Sequence, residues 1–590
     1  MSRKKRRHSI ADILRELLSY NGKLKLPILI SLLFAAAGAV LTIIGPGMLS
    51  DITDIISNSL FAQIDLAAIG EIGVKLLIIY LISAVLTYVE HYIMATVTLE
   101  LSRDLRRDLS RKINVVPMSY FNTVSFGDIL SRVTNDVSTL QQALANSLPS
   151  MISSVAQFVG CLIMMFVTEW RMALAAVAVT AVGFGIMGVA MLRSQKYFTA
   201  RQKNLSKLNG YVEEMYSGHD VVRISRANDQ IKGTFGEMND ELYDADWRSQ
   251  FLSGIMQPLM TVIGNLGYVA VCVIGAALVM DGQIGFGVIV AFIMYVRLFT
   301  SPLSTLAQGM TQMQTAAAAG GHIFDFLHAE ELPEESGKRP APEQVRGEVD
   351  FEHVRFSYPN NPGKVIIKDF SAHVEPGQKV AIVGPTGAGK TTLVNLLMRF
   401  YEVNGGTIKI DGIPTSELAR ESVHDMFSMV LQDTWLFEGT VRDNLVYNKT
   451  GVTDEQLKKA CRACGIYHFI ETLPKGFDTV LDDSIAVSAG QKQLLTIARA
   501  MIQDNPMLIL DEATSSVDTR TELVTQQAMD ALTANRTSFV IAHRLSTIRN
   551  ADLILVLKDG DIIEQGTHEE LLAHGGFYSE LYMSQLEKSA

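Results

Sequence analysis

Six long apolar runs dominate the first half of the chain and predict helices. Each is close to the roughly 20 residues that a helix needs to cross the hydrocarbon core of a bilayer. The alternative is six buried helices of a large water-soluble domain, but the number of runs and the positions of the charges favour six membrane spans. The runs are Leu26–Leu49, Leu76–Ala95, Met151–Val167, Met172–Leu192, Met256–Met280 and Ile284–Phe299.

Basic residues are concentrated in every second loop between these runs, which places them on one side of the membrane. The segment 51–73 and the turn "DGQ" hold no Lys or Arg, whereas "SRDLRRDLSRK" and "RSQKYFTARQKNLSK" follow the second and fourth runs. Cytoplasmic loops carry the excess of Lys and Arg. We therefore expect a multi-pass protein of the cytoplasmic membrane, with the N-terminus, both long loops and everything after the sixth run in the cytoplasm.

The two long loops are charged but keep a helical pattern, with few Gly or Pro. Long loops without structure are rare in compact proteins. We predict that the spanning helices continue beyond the membrane, turn near Pro117–Asp128 and Met215–Ser225, and return.

A short amphipathic segment precedes the first span. Its apolar positions share one helical face, beside the basic run "RKKRR". This pattern predicts an elbow helix on the inner membrane surface, the alternative being an ordinary packed helix. The face consists of Ile10, Ile13, Leu14, Leu17 and Leu18.

The pattern changes after a Pro- and Glu-rich stretch, "HAEELPEESGKRPAPEQVRGE". Short apolar strands such as "KVAIVG" and "SFVIAH" then alternate with helical segments, as in a soluble α/β domain. We divide the chain into a basic segment and elbow helix (1–24), a six-helix transmembrane domain (25–328), a linker (329–346) and an α/β domain (347–590), whose motifs are described below.

Composition agrees with this division. Of 590 residues, 48% are hydrophobic, and the mean hydropathy is +0.20. The net charge of −11, from 51 basic and 62 acidic residues, argues against a nucleic-acid partner. The basic N-terminus is not followed at once by an apolar run, so a cleaved signal peptide is not expected.

The four cysteines are too few for a disulfide framework. Cys461 and Cys464 form a C-x-x-C, but there is no second pair and the context is helical. We interpret them as helix residues rather than a zinc or redox site.

The stretch "GPTGAGKTT" lies between the strand "KVAIV" and the helix "TLVNLLMRF", the context that a phosphate-binding loop requires. Glycines let the backbone approach phosphates, and the N–H groups at the helix start face the anion. Lys390 is predicted to contact the β- and γ-phosphates, and Thr391 to offer its hydroxyl to Mg²⁺. The expected nucleotide contacts are Gly384, Pro385, Thr386, Gly387, Ala388, Gly389, Lys390, Thr391 and Thr392.

An acidic strand end follows downstream in "MLILDEATSSVD". Asp511 is predicted to hold Mg²⁺, and Glu512 to polarise the attacking water. Gln432, after the strand in "VLQDTWLF", is suited to a Mg²⁺ contact that links to another domain. His543 is placed as a γ-phosphate sensor, although an isolated His is more often structural.

Tyr358 ends a strand in "VRFSYP" and is predicted to stack on an adenine ring, the alternative being simple packing.

Together these motifs resemble an ATP-binding-cassette ATPase, and the six preceding spans resemble an exporter half-transporter. Two cassettes of that family form a head-to-tail dimer, so each ATP lies between the phosphate loop of one and the signature of the other. The resemblance implies that Asp518, which ends "SSVD", serves the D-loop. It also implies signature contacts from Ser488, Ala489, Gly490 and Gln491 to an ATP held by a second half-transporter.

The resemblance implies ATP- and Mg²⁺-dependent export of a small amphipathic molecule (a drug, lipid or peptide) by alternating access. A regulatory or channel-like protein that ATP only gates is the alternative. The residues predicted to surround the reacting phosphate argue against this alternative. They are Gln432, Asp511, Glu512 and His543.

The signature departs from the family's usual LSGGQ at Val487 and Ala489. One interpretation is a neutral change in a homodimer. The favoured interpretation is a heterodimer, because one subunit of related bacterial exporters keeps the catalytic Glu and carries an altered signature.

Glu90 falls inside the second apolar run, where charges are costly unless paired or wet. One interpretation is that it pairs with Arg297 on the sixth span and is structural, and a second is that it faces the substrate cavity and attracts cationic compounds. A third is that it is exposed near the inner headgroups. Its neighbour His91 is expected to be a poor partner, because adjacent helix residues point to different faces.

Overall fold

The computed structural model describes residues 9–59, 64–432, 434–482, 487–511, 519–541 and 548–589. The chain divides into two compact units. Unit 1 comprises Met1–Asn114 and Gly127–Ala329, and unit 2 comprises Val115–Phe126 and Glu330–Ala590.

Long helices build unit 1. Six of them in the described chain are long and apolar enough to cross a membrane, which confirms the six predicted spans. Five run for 42 to 53 residues, well beyond the apolar runs, as expected for helices that continue into the cytoplasm. The helices are α1 (Ile10–Tyr20), α2 (Lys25–Asn58), α3 (Leu66–Val115), α4 (Met118–Phe121), α5 (Phe126–Thr168), α6 (Trp170–Ser217), α7 (His219–Ile224), α8 (Asn228–Met280) and α9 (Phe286–Leu327).

The two predicted turns are short helices. α4 lies between the end of α3 and the start of α5, and α7 lies between α6 and α8. α4 belongs to unit 2 although both flanking helices belong largely to unit 1. The segment Val115–Phe126, called the turn segment below, therefore packs with the α/β unit.

α1 is a packed helix on its apolar side. Ile13 and Leu17 are buried, and Ile13 lies so close to α9 that a Cβ on Gly320 would meet its Cγ2 at 2.7 Å. The Tyr20 hydroxyl donates a hydrogen bond to the carboxylate of Asp108 on α3. Part of the predicted apolar face thus contacts protein, while Leu18 on the same face is exposed. The placement of this helix on the inner membrane surface stays a prediction.

Unit 2 holds twelve strands within its described residues, in sheets of four, six and two strands. The four-stranded sheet has the order β2-β1-β4-β5, the six-stranded sheet β12-β11-β3-β10-β9-β6, and the third pairs β7 with β8. The strands are β1 (Val349–Ser357), β2 (Val365–Val374), β3 (Lys379–Val383), β4 (Gly405–Ile410), β5 (Ile413–Pro414), β6 (Phe427–Val430), β7 (Gly439–Thr440), β8 (Val480–Leu481), β9 (Met507–Asp511), β10 (Thr537–Ile541), β11 (Leu553–Lys558) and β12 (Asp561–Gly566).

The helices of unit 2 are mostly short and follow these strands. They are α10 (Lys390–Leu397), α11 (Arg420–Asp425), α12 (Val441–Val446), α13 (Asp454–Ala463), α14 (Tyr467–Thr472), α15 (Ala489–Gln503), α16 (Thr519–Thr533), α17 (His568–His574) and α18 (Phe577–Ser589).

Alternate residues of the central strands enter different cores. Met507 and Ile509 of β9 belong to one apolar cluster, and Leu508 and Leu510 belong to another. A parallel sheet covered on both faces reads as a continuous apolar run, which is why "MLIL" lacks alternation. β3, β10 and β9 run parallel, with Ile541 beside both Ile382 and Asp511. Their carboxyl ends therefore share one edge, where ligands of open α/β sheets bind.

The stretch before β1 is held to the rest of unit 2 by a largely buried ion-pair group. Glu335 accepts hydrogen bonds from the backbone N–H of Arg420 at 2.6 Å, from its Nη1 at 2.7 Å, and from Nη2 of Arg399 at 2.9 Å. Burial raises the pKa of Glu335, but these bonds and Lys338 outweigh it and leave the pKa below its ordinary value. The Leu332 N–H also donates to the Val115 carbonyl at 2.8 Å, which ties this stretch to the turn segment.

Candidate functional site

The phosphate-binding loop follows β3 at the shared strand edge and leads directly into α10. Gly387 and Gly389 have φ of 85° and 106°, in the left-handed region that favours glycine. A Cβ on Gly384 would meet the Leu557 carbonyl oxygen at 2.2 Å. Glycine at these positions lets the backbone form a tight cradle against β11 and expose its N–H groups.

Lys390 closes this cradle from the first turn of α10. Its Nζ donates to the carbonyls of Gly384 at 2.7 Å and Pro385 at 3.1 Å. Burial lowers the pKa of Lys390, while the carboxylate of Asp511 raises it. A desolvated ammonium held inside an anion-binding loop is arranged to contact phosphate oxygens.

The two threonines after Lys390 face different ways. Thr391 is exposed, so its hydroxyl is free to meet a cation. Thr392 is buried, and its Oγ1 lies 3.0 Å from the hydroxyl oxygen of Tyr358. The Tyr358 ring packs edge-on against Phe356 and Tyr401, with centroids 5.0 and 5.1 Å apart. Tyr358 thus borders the loop and also contributes to packing.

The remaining predicted catalytic groups are only partly described. Asp511 ends β9 at the shared strand edge, and Gln432 lies exposed after β6. Glu512, Asp518 and His543 lie outside the residues that the structure describes, so their roles stay predictions. Glu512 directly follows Asp511, and His543 follows β10 by two residues.

The signature segment starts α15. The Ser488 hydroxyl accepts from the Gln491 N–H at 3.2 Å, and the Gln491 Oε1 accepts from the Ser488 N–H at 2.9 Å. This reciprocal capping box satisfies two N–H groups at the helix start. Ala489 is exposed and Gly490 is buried, while Val487 packs against the apolar cluster beneath. The extra methyl of Ala489 therefore lies on the solvent side of the helix start.

Glu90 is buried within unit 1, with a side chain only 4% exposed. Its Oε2 lies 3.5 Å from Nδ1 of His91, and the hydroxyl of Ser31 on α2 donates to its backbone carbonyl at 3.4 Å. The expectation that His91 is a poor partner was wrong, because two long side chains at adjacent positions can still converge at their tips. Arg297 is exposed, and no ion pair joins it to Glu90 in the described chain.

The C-x-x-C lies in the interior. Cys461 and Cys464 are buried and free, and burial raises the pKa of both thiols to about 12. Raised thiol pKa values are typical of inert structural cysteines, so these two act as helix packing residues.

Unit 1 contains a cavity of about 580 Å³ between α6 and α8 that sequence reasoning missed. It lies where the apolar run of α6 ends and before that of α8 begins. Trp247 and Phe251 stack with ring centroids 5.4 Å apart, and the Arg248 guanidinium lies 5.7 Å from the Tyr197 ring centroid. The sequence signal that could have indicated this cavity is the close spacing of basic and aromatic residues in "RSQKYF" and "DWRSQFL". The lining residues are Leu192, Arg193, Lys196, Tyr197, Trp247, Arg248, Phe251 and Leu252.

Comparisons with known proteins agree with this architecture. Residues 28–303 match the family described as ABC transporter transmembrane region, and residues 367–515 match the family described as ABC transporter. A fatty acid ABC transporter ATP-binding/permease protein of Mycobacterium bovis is 44% identical over 88% of this chain and 82% of its own. An uncharacterized ABC transporter ATP-binding protein of Bacillus subtilis, YfiC, is 38% identical over 98% of this chain and 94% of its own. An ATP-dependent lipid A-core flippase of Desulfotalea psychrophila is 32% identical, over 95% and 97%.

Proposed function

The chain belongs to the ATP-binding-cassette exporters as a half-transporter, and from that premise we propose that it exports an anionic amphiphile with a long acyl chain as one subunit of a heterodimer. It is an ATPase coupled to transport, a multi-pass protein of the cell membrane with its nucleotide-binding domain in the cytoplasm. Exporters of this family act as dimers in the membrane. The substrate class, the unlike partner and the Mg²⁺ ligands are what we add.

The cavity between α6 and α8 carries the substrate proposal. Its basic side chains are Arg193, Lys196 and Arg248, and none of its eight described lining residues is acidic. Trp247 and Phe251 are 56% and 53% exposed, so aromatic surface lies beside these charges. By the positive-inside pattern, the cavity is at the inner face of the membrane.

That combination matches an anionic amphiphile. Basic pockets between spans on the cytoplasmic side recognise anionic headgroups, while the leucines and aromatic rings provide apolar surface for an acyl chain. By their names, two of the relatives reported above are a fatty acid ABC transporter and a lipid A-core flippase. A fatty acid is the simplest member of this class.

We expect Arg193→Gln combined with Arg248→Gln to weaken fatty-acid transport selectively. In proteoliposomes containing the assembled dimer, the KM for a fluorescent long-chain fatty acid should rise about tenfold, equivalent to about 1.4 kcal/mol. Basal ATPase should stay unchanged. Lys203→Gln is the matched control, because Lys203 is an exposed basic residue of α6 outside the cavity.

A neutral amphiphile and a cationic dye complete that assay. If the double variant impairs them as strongly as the fatty acid, the anionic-substrate proposal fails. The competing idea is that Glu90 attracts cationic compounds. It gains support if Glu90→Gln slows only the cationic dye, but the burial of Glu90 does not favour this outcome.

The heterodimer proposal rests on the altered signature. Ala489 places a methyl at the helix start that, in this family, faces the partner's nucleotide. We propose that this signature serves the partner's ATP site without supporting rapid hydrolysis there. The partner's own signature completes the site formed by Lys390 and Glu512.

Ala489→Gly is therefore expected to change ATP turnover of the assembled transporter by less than about twofold. Ser488→Ala in this chain is compared with the equivalent Ser→Ala change in the partner's signature. The change in the partner should cause the larger loss of ATP turnover. Purified alone, this chain should show little substrate-stimulated ATPase. A stable homodimer with rapid substrate-stimulated ATP turnover would refute the heterodimer proposal.

The oxygen donors at the strand edge fit a magnesium ion. Thr391, Asp511 and Gln432 offer the hydroxyl, carboxylate and amide oxygens that Mg²⁺ accepts, and the exposed Thr391 directly follows Lys390 in α10. When bound with ATP, Mg²⁺ neutralises charge on the β- and γ-phosphates.

A further inference from the structure

The turn segment is joined to the rest of unit 2 by a side-chain hydrogen bond across 279 residues of sequence. Nδ2 of Asn122, directly after α4, donates to the hydroxyl oxygen of Tyr401 at 2.6 Å. Tyr401 lies four residues after the end of α10, which begins at Lys390. Lys390 of the phosphate loop therefore starts α10, and Tyr401, the partner of the turn segment, lies shortly after the end of the same helix.

Tyr401 also packs against Tyr358, which borders the phosphate loop. Its ring is perpendicular to that of Tyr358, with centroids 5.1 Å apart, and Tyr358 bonds to Thr392 of α10. Tyr401 is only 8% exposed, and burial raises the pKa of its hydroxyl. The hydroxyl is thus protonated at neutral pH and fixed in a packed interior.

A second attachment of the turn segment differs in kind. The Leu332 N–H bonds to the Val115 carbonyl, and the same stretch is anchored through Glu335 to Arg399 and Arg420. Neither contact involves the phosphate loop or Tyr358. The backbone attachment can hold the segment in place whatever the nucleotide state, whereas the Tyr401 contact borders the nucleotide site.

We propose that Tyr401 is a positioning residue that passes the nucleotide state from Tyr358 to Asn122, and so to the helices α3 and α5 that flank the turn segment. The inference rests on the predicted adenine contact of Tyr358. An adenine ring against Tyr358 restricts that ring, the perpendicular Tyr401 ring packs against it, and the hydroxyl of Tyr401 sets the position of Asn122. Packed elements with discrete arrangements transmit small shifts in this way.

Tyr401→Phe is the direct test, because it removes the hydroxyl and keeps the ring. In the assembled transporter we expect the KM for ATP, basal ATPase and the melting temperature to stay close to the parent. Substrate-stimulated ATPase and the substrate transported per ATP should fall about threefold to tenfold. Tyr467→Phe is the control, since Tyr467 is a half-buried tyrosine of unit 2 whose ring contacts Arg462 and Phe477.

Asn122→Ala should reproduce the Tyr401→Phe defect, and the double variant should lose little more, as expected for two groups in one contact. Additive losses would overturn the proposal. So would a Tyr401→Phe variant that loses basal and stimulated ATPase equally along with thermal stability. Tyr358→Leu tests the predicted adenine contact separately. If this variant leaves the KM for ATP unchanged, that prediction is wrong, and Tyr401 no longer links the nucleotide to the turn segment.

Discussion

Replacing Lys390 by alanine is expected to abolish ATP-driven transport by removing nucleotide binding itself. The ammonium is the only side-chain charge that the described loop 384–392 holds inside its own cradle, bonded to two loop carbonyls. Charge-assisted bonds to phosphate are about twice as strong as neutral ones, and the methyl group of alanine replaces none of them. We expect ATP affinity to fall at least about a hundredfold, equivalent to about 2.7 kcal/mol.

The measurement is binding of a fluorescent ATP analogue to the assembled transporter, with ATPase alongside. Lys364→Ala is the control, because Lys364 is an exposed lysine of the same unit. A Lys390→Ala variant that binds ATP normally and loses only turnover would place the lysine in the chemical step alone, contrary to the geometry.

Glu512→Gln is expected to give the opposite pattern, with ATP bound and turnover lost. The amide keeps the shape of the side chain but does not accept a proton from the attacking water. The proposed contacts of Asp511, Thr391 and Lys390 with the nucleotide and its metal remain in this variant. Turnover should fall by about two orders of magnitude, within the range for loss of a general base, and the dimer should accumulate closed with ATP trapped.

Trapped nucleotide is measured after rapid removal of free ATP, with Asp511→Asn as the contrasting variant. That variant should lose Mg²⁺-dependent binding rather than trap ATP. If the Glu512→Gln transporter keeps most of its ATPase, another group polarises the water and the assignment of Glu512 is incorrect.

Features encoded by local periodicity were predictable from the chain alone. The six spans need only runs of apolar residues, and the phosphate loop needs only glycines between a strand and a helix that begins at Lys390. The buried part of β9, which ends at Asp511, was predictable for the same reason, since its residues "MLIL" must fill both cores. These signals are complete within about ten to twenty neighbouring residues.

Contacts between distant segments were not predictable in this way. Asn122 and Tyr401 carry no pattern that pairs them, and their bond depends on how the turn segment folds against unit 2. The close approach of Ile13 to Gly320 likewise joins segments that are far apart in the sequence, although periodicity identified the apolar face correctly. Sequence periodicity identifies which face is apolar, while the partner of that face is decided by the rest of the fold.

The distribution of thiols makes this chain a convenient host for site-specific probes. Cys161, Cys461 and Cys464 are buried, and Cys272 is half-buried within α8. Maleimides react with exposed thiolates, which the buried native cysteines supply poorly. A single cysteine introduced at an exposed position of the turn segment, such as Thr123, would therefore carry a spin label or fluorophore with little labelling of the native cysteines. Distances to a second label in the partner would then follow the opening and closing of the working transporter in real time.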